Sequence, residues 1–287
     1  MEADRRRTIR RGARAGGLSP LAVCAALAFA GCAGAGPTPL TIIITLPPST
    51  TGATLTPSAG STGTPPPTAS AAAVATPTVS STSVTQSASD NRWKVSFRMP
   101  VVSGIEPAAV QSMNDSITIK VNAYIVSFKG GGLPAVAGGD APSTLTGDFA
   151  VAFASPSLLS LRFTVETHVT GAAHPSTEAG SINFEVASGS VIQFPDLFSS
   201  PAAALPVVQA QAHKLLTAKL GGDLNWPASP TMSDFGGAWA FTKNGLELTW
   251  SQGTIADDAS GLPTVSIAWS ALSRVIAKPG PAAGFVP

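Results

Sequence analysis

The chain has 287 residues, of which 11% are charged, and its formal net charge of +1 owes its sign to a cluster of arginines at the start. Without residues 1–31 it holds 11 basic and 14 acidic residues, a formal net charge of −3, which excludes the basic footprint that a nucleic-acid partner needs. Its two cysteines, Cys24 and Cys32, exclude an intramolecular disulfide once the first leaves with a cleaved leader.

The N-terminus carries Arg5, Arg6, Arg7, Arg10, Arg11 and Arg14, then an apolar stretch from Leu18 to Phe29, then Ala30, Gly31 and Cys32. A basic segment, a short apolar segment and small residues before a cysteine make up a bacterial lipoprotein signal, with cleavage before Cys32 and acylation of its thiol. Phe29 departs from the aliphatic residue usual three positions before that cysteine. The apolar stretch is shorter than the roughly 20 residues that a membrane-spanning helix requires. Residues 1–31 are therefore a signal peptide, and the membrane is met only through a lipid anchor at Cys32. The protein is expected on the outer face of the cell membrane, or shed from it.

Residues 32–89 are expected to form a disordered tether. From Ala33 to Ser89 there is no Asp, Glu, Lys or Arg, only a text of Thr, Ser, Pro, Ala and Gly that cannot bury enough apolar surface to offset its ordering entropy. LTIIITL, Leu40 to Leu46, is its one apolar island, either a stray strand or a segment resting near the membrane surface.

Residues 90–278 have the size of one domain. RWKVSFRM sets Trp93, Val95, Phe97 and Met99 on one face and Lys94, Ser96 and Arg98 on the other, as a half-buried strand does. Val110, Met113, Ile117, Val121, Tyr124 and Phe128 then recur at helical spacing, with Pro107 in the first turn and Gly130 at the end. Phe149-Val151-Phe153 and Leu159-Leu161-Phe163-Val165 form an antiparallel hairpin through Ser155 to Ser157. Arg162, Thr164, Glu166 and His168 lie on its other face, which makes His168 a solvated sheet residue. A loop from Gly171 to Gly180 leads to Ile182, Phe184 and Val186. Ser200 caps a second helix that has Pro201 at its first position and Gly221 at its close. Trp239-Phe241 and Leu246-Leu248-Trp250 flank Asn244-Gly245, which is expected to supply a type I′ turn. PTVSIAW adds a strand, SALSRVIA a short helix, and residues 279–287 a tail. The fold class is α+β: antiparallel sheets with two main packed helices and a short C-terminal helix, after the disordered tether.

Taken together and in order, GAAHP, INFEVASG, FPDLF, ALPVVQAQAHKLL, FTKNGLELTW and DDASGLPTVSIAWSAL resemble a domain of unknown function. It is shared by the secreted immunogenic protein of mycobacteria and the lysozyme-binding extracellular region of RsiV-type anti-sigma factors. The resemblance covers about residues 158–277. It implies a secreted or surface-attached α+β protein without established catalytic activity, and a lysozyme-like protein among its partners. The immunogenic relatives are expected to carry a disulfide, which the mature chain, with Cys32 alone, cannot make.

The chemistry-bearing residues are few. His174 precedes Pro175, so its backbone is held extended, and Gly171 and Glu178 belong to the same long connection. Asp257 and Asp258 are adjacent in a second loop, and Trp226 in NWPASP is an aromatic expected to be partly exposed. Gly171, His174, Pro175, Glu178, Trp226, Asp257 and Asp258 thus form a candidate ligand-binding set. Their spacing matches no metal motif, and no nucleophile elbow is present. The expectation is a monomeric, non-catalytic surface lipoprotein without metal or cofactor, binding a protein or cell-envelope ligand. A cell-wall or glycan hydrolase using His174 with an acidic partner is the alternative.

Overall fold

A computed structural model describes residues 75–137, 140–222 and 224–286. The signal segment, Cys32 and the LTIIITL island lie outside them. The first half of the domain is a five-stranded sheet crossed by one long helix. Its strands are β1 (Thr78–Ser87), β2 (Trp93–Ser103), β3 (Ser143–Ala154), β4 (Leu158–His168) and β5 (Ser176–Glu185), neighbours in that order. Helix α1 (Pro107–Gly130) connects β2 to β3. The alternation in β2 buries Val95 and Phe97 against Met113, Ile117, Val121 and Tyr124 of α1, with Leu161, Phe163, Ile182 and Phe184 completing this core. Each large apolar side chain removed from water here contributes about 1.5–3 kcal/mol.

The second half repeats the plan on a smaller scale. Helix α2 (Pro201–Leu220) starts at the Ser200 cap, whose side chain accepts from Ala203 N–H, and ends at Gly221. A single turn, α3 (Ser233–Gly236), leads into the antiparallel sheet β6 (Trp239–Phe241), β7 (Gly245–Thr249) and β8 (Thr264–Ala268), and α4 (Trp269–Leu272) follows. Val208, Ala212 and Leu216 pack on Phe241, Leu246, Leu248 and Ile267. Among the described residues, no helix is long and apolar enough to cross a membrane.

A polar seam joins the two halves. Strand β6 presents its free edge to the outer face of β4 and β5, where the side chains of Ser160, Ser181 and Asn183 replace a neighbouring strand. Trp239 N–H donates to Ser181 Oγ (2.9 Å), Phe241 N–H to Ser160 Oγ (3.1 Å), and Asn183 Nδ2 to Trp239 C=O (2.9 Å). Ser160 Oγ also donates to Asn183 Oδ1. Ser160 and Asn183 are buried, so each polar group there has to find a protein partner.

The domain departs from its sequence-based outline in five places. Strand β1 lies within the expected tether and pairs with β2 along its whole length, from Thr78 opposite Ser103 to Ser87 opposite Lys94. Eight of its ten residues are exposed, so its Ser and Thr side chains stay in water while the backbone earns its place through the ladder. The larger sheet is mixed, because the α1 crossover returns β3 parallel to β2, Trp93 opposite Ser143. The turn between β6 and β7 centres on Lys243-Asn244, with Phe241 opposite Leu246, and neither Asn244 nor Gly245 has positive φ. Gly245 is needed for another reason: a Cβ there would overlap the carbonyl of Ile267 on β8. Strand β5 begins at Ser176, so the connection expected from Gly171 to Gly180 is confined to Val169–Pro175. Residues 279–286 are no loose tail, since Ala282 and Val286 are buried and Phe285 stacks on Trp269 at 4.7 Å.

Candidate functional site

Two loops meet at the N-terminal end of β5. The first, Val169–Pro175, is tied at its base to the start of β3: Thr170 N–H donates to the buried Ser143 Oγ (3.0 Å) and Thr170 Oγ1 to Ala141 C=O (2.8 Å). Gly171 turns the loop with a φ of +85°. The His174–Pro175 bond is trans, and His174 Nδ1 lies 3.0 Å from Pro175 C=O.

The second loop, residues 251–261, leaves β7 and clasps the free edge of β5. Gln252 makes a two-way bond with Thr177: its N–H donates to Thr177 C=O (3.0 Å), and its Oε1 accepts from Thr177 N–H (2.9 Å). Ser251 Oγ accepts from Ala179 N–H (3.1 Å). Gln252 Nε2 reaches Asp258 C=O (3.1 Å), and Asp257 Oδ1 accepts from Ser260 N–H (3.0 Å) and Ser260 Oγ (2.6 Å). Asp258 is left free to point across the gap, its Oδ2 3.8 Å from His174 Nε2. Both side chains are open to water, 62% exposed for His174 and 57% for Asp258.

Of the residues expected to bind, His174, Pro175, Asp257 and Asp258 thus come together, with Asp257 spent on capping its own turn. Glu178 sits on β5 itself, on the α1 side of the sheet with Gly180, Ile182 and Phe184. There it lines a 460 Å³ depression with Lys120, Asp234, Trp250 and Thr254. Trp226 belongs elsewhere. It is half-buried in an aromatic group with His213 (5.0 Å), Phe235 (5.9 Å) and Trp250 (6.4 Å). His168 is half-buried at the end of β4, opposite Thr144.

Sequence reasoning missed Ser251 and Gln252, which tie the second loop to the edge of β5; SQGT carries no motif that marks it as a clasp. It also missed a 470 Å³ cleft between the sheets, lined by Asp148, Arg162, Thr164, Trp239, Glu247 and Thr264. Arg162 lies on the face opposite the apolar one, as its place in the alternation requires, and its Nη1 donates to Glu247 Oε1 at 2.5 Å across the seam. On the cleft's rim, Arg98 Nε lies 2.5 Å from Asp148 Oδ1 and holds that carboxyl below the usual carboxylate range, with Phe149 N–H adding to the effect.

These features define an α+β domain of two sheets whose candidate site is a preorganised polar surface. No family model matches the chain, and no curated protein does. Solved structures do. The chain is similar to a DUF3298 family protein from Pseudomonas aeruginosa PAO1, with a TM-score of 0.52 and 16% identity, covering 73% of this chain and 96% of that one. A DUF3298 family member from Bacteroides fragilis NCTC 9343 matches with a TM-score of 0.46 and 14% identity over 73% and 96% of the two chains. The Pseudomonas match establishes a shared fold, that of a domain of unknown function.

Proposed function

We propose that the protein is a non-catalytic, extracytoplasmic binding domain, lipid-anchored at Cys32, that recognises a protein or cell-envelope ligand through the surface where loops 169–175 and 251–261 meet. The clasp between Gln252 and Thr177 carries this reading. It fixes loop 251–261 on the edge of β5, beside a loop 169–175 that Thr170 ties to the start of β3, and leaves the polar tips His174 and Asp258 exposed, which suits recognition on a rigid scaffold. The imidazole meets the Pro175 carbonyl at Nδ1 and the Asp258 side chain at Nε2, and among the described residues no hydroxyl or thiol nucleophile is hydrogen-bonded to it. The resemblance to lysozyme-binding domains makes a muramidase the first partner to test.

Retention of a muramidase by the immobilised chain, weakened several-fold by His174→Ala and by Asp258→Ala with folding intact, is the expected result. Turnover of peptidoglycan or an ester substrate that His174→Ala abolishes would favour the hydrolase instead. Acylation is a separate matter: Cys32→Ala should release the protein from membranes, and unacylated wild-type protein found wholly in the medium would refute the anchor.

A further inference from the structure

The two edges of the five-stranded sheet are treated differently. Along β5 outward backbone groups of four residues are met: Thr177 by Gln252, Ala179 N–H by Ser251, Asn183 C=O by Ile192 N–H, and Glu185 N–H by Ser190 C=O. Along β1, no backbone hydrogen bond from the other described residues meets the outward groups. Ala88 N–H donates to Trp93 C=O (3.0 Å), and this sets the phase of the β1–β2 ladder. Even-numbered residues of β1 bond to β2, so Val79, Ser81, Ser83, Thr85 and Ser87 turn their N–H and C=O groups outward.

Such a row is a template for another strand, and proteins blunt it with lysine, proline, a bulge or a short edge. Strand β1 uses none of these. It runs ten residues, TVSSTSVTQS, without charge, proline or register shift. We propose that β1 is a docking edge for a second copy of the chain, pairing antiparallel with its counterpart across a twofold axis at Ser83. That register sets Ser83 opposite Ser83, Ser81 opposite Thr85 and Val79 opposite Ser87, so each outward donor meets an outward acceptor.

The chemistry of the edge favours a copy over a foreign strand. β1 has no charge and no bulky side chain with which to select a foreign sequence, whereas hydroxyl against hydroxyl is a stabilising cross-strand pair. Like charges meeting at the axis, which would block self-pairing, are absent. Joining two copies makes one sheet of about ten strands, within the range of open twisted sheets. A single strand pair is small for an interface, so the dimer is concentration-dependent, and the monomer expected from the sequence is its dissociated form. The His174 surface lies at the opposite edge and stays free, so this inference stands or falls apart from the proposed function.

Sedimentation equilibrium of the purified full chain, with Cys24 and Cys32 replaced by serine, tests it. The expected result is self-association with a Kd of about 10 μM to 1 mM. Ser83→Lys should raise that Kd roughly tenfold or more, by setting two ammonium groups at the axis, without changing the thermal midpoint at low concentration. Ser83→Cys should form an interchain disulfide under mild oxidation, and Ser96→Cys, exposed on β2 away from the edge, should not. A chain that stays monomeric to about 1 mM, a dimer indifferent to Ser83→Lys, or an edge that takes up only foreign strands would each overturn the proposal.

Discussion

The hydroxyl of Tyr124 on α1 rests directly on Gly180 of β5, so closely that a Cβ at position 180 would overlap it. Tyr124 is buried, and its oxygen has no hydrogen-bond partner. Gly180→Ala should therefore destabilise the domain by about 1–3 kcal/mol through overpacking. Tyr124→Phe should be neutral or stabilising by about 1 kcal/mol, since it removes an unsatisfied buried polar group. Burial, and then the charge of Glu178, push the phenol well above its ordinary value. The neutral form is favoured in the folded state, so the linked stability is fully present below about pH 10. It is lost as pH rises beyond that, because the unfolded chain ionises first. Urea titrations at neutral and alkaline pH should show this loss in the wild type and a smaller one in Tyr124→Phe.

The seam makes a second prediction. Ser160→Ala deletes the acceptor for Phe241 N–H and the hydroxyl bound to Asn183, and leaves buried groups unpaired on both sheets. Each such group costs about 1–3 kcal/mol. Chemical denaturation should show a single transition at lower denaturant. A loss of cooperativity, with the α2 half melting first, would show that the seam couples the two cores.

Much of this architecture was legible because burial imposes period. The alternation of Val95 and Phe97, the helical spacing of Met113, Ile117 and Val121, and the Ser200-Pro201 start of α2 all report a buried face or a cap. Three kinds of feature left no such trace. Strand β1 is polar on both faces, so it has the composition of a tether and is defined only by backbone pairing to β2. The parallel setting of β3 follows from the α1 crossover, which local alternation does not encode. The clasp at Ser251 and Gln252 consists of side-chain bonds to a strand some 70 residues earlier in sequence, Thr177 and Ala179. His174 and Asp258 were each visible as polar loop residues, but only the fold brings them within 3.8 Å.

The boundary of the domain gives a third prediction. If β1 belongs to the sheet, limited proteolysis should yield a stable fragment beginning near Thr78, not Asp90. A chain starting at Asp90 should be less stable and prone to associate, because β2 would then offer an unpaired edge. Equal stability of the two fragments, by thermal melting at low concentration, would remove β1 from the folded unit.

The last prediction separates the frame of the candidate site from its tips. Gln252→Ala removes the acceptor of Thr177 N–H and the donor to Asp258 C=O but keeps the backbone half of the clasp. One lost hydrogen bond is worth about 0.5–1.5 kcal/mol, so exchange of the Thr177 amide should quicken by roughly 2- to 12-fold if local opening governs it. His174→Ala and Asp258→Ala should leave that amide unchanged, since a contact this exposed, with 3.8 Å between the two side chains, contributes little to holding the loop. Ligand affinity should fall in all three variants: in the tip variants through lost contact, and in Gln252→Ala through the entropy of ordering a loosened loop on binding. Faster Thr177 exchange with unchanged affinity in Gln252→Ala would show that the loops need not be held together to bind, and the recognition surface would have to be sought elsewhere on the domain.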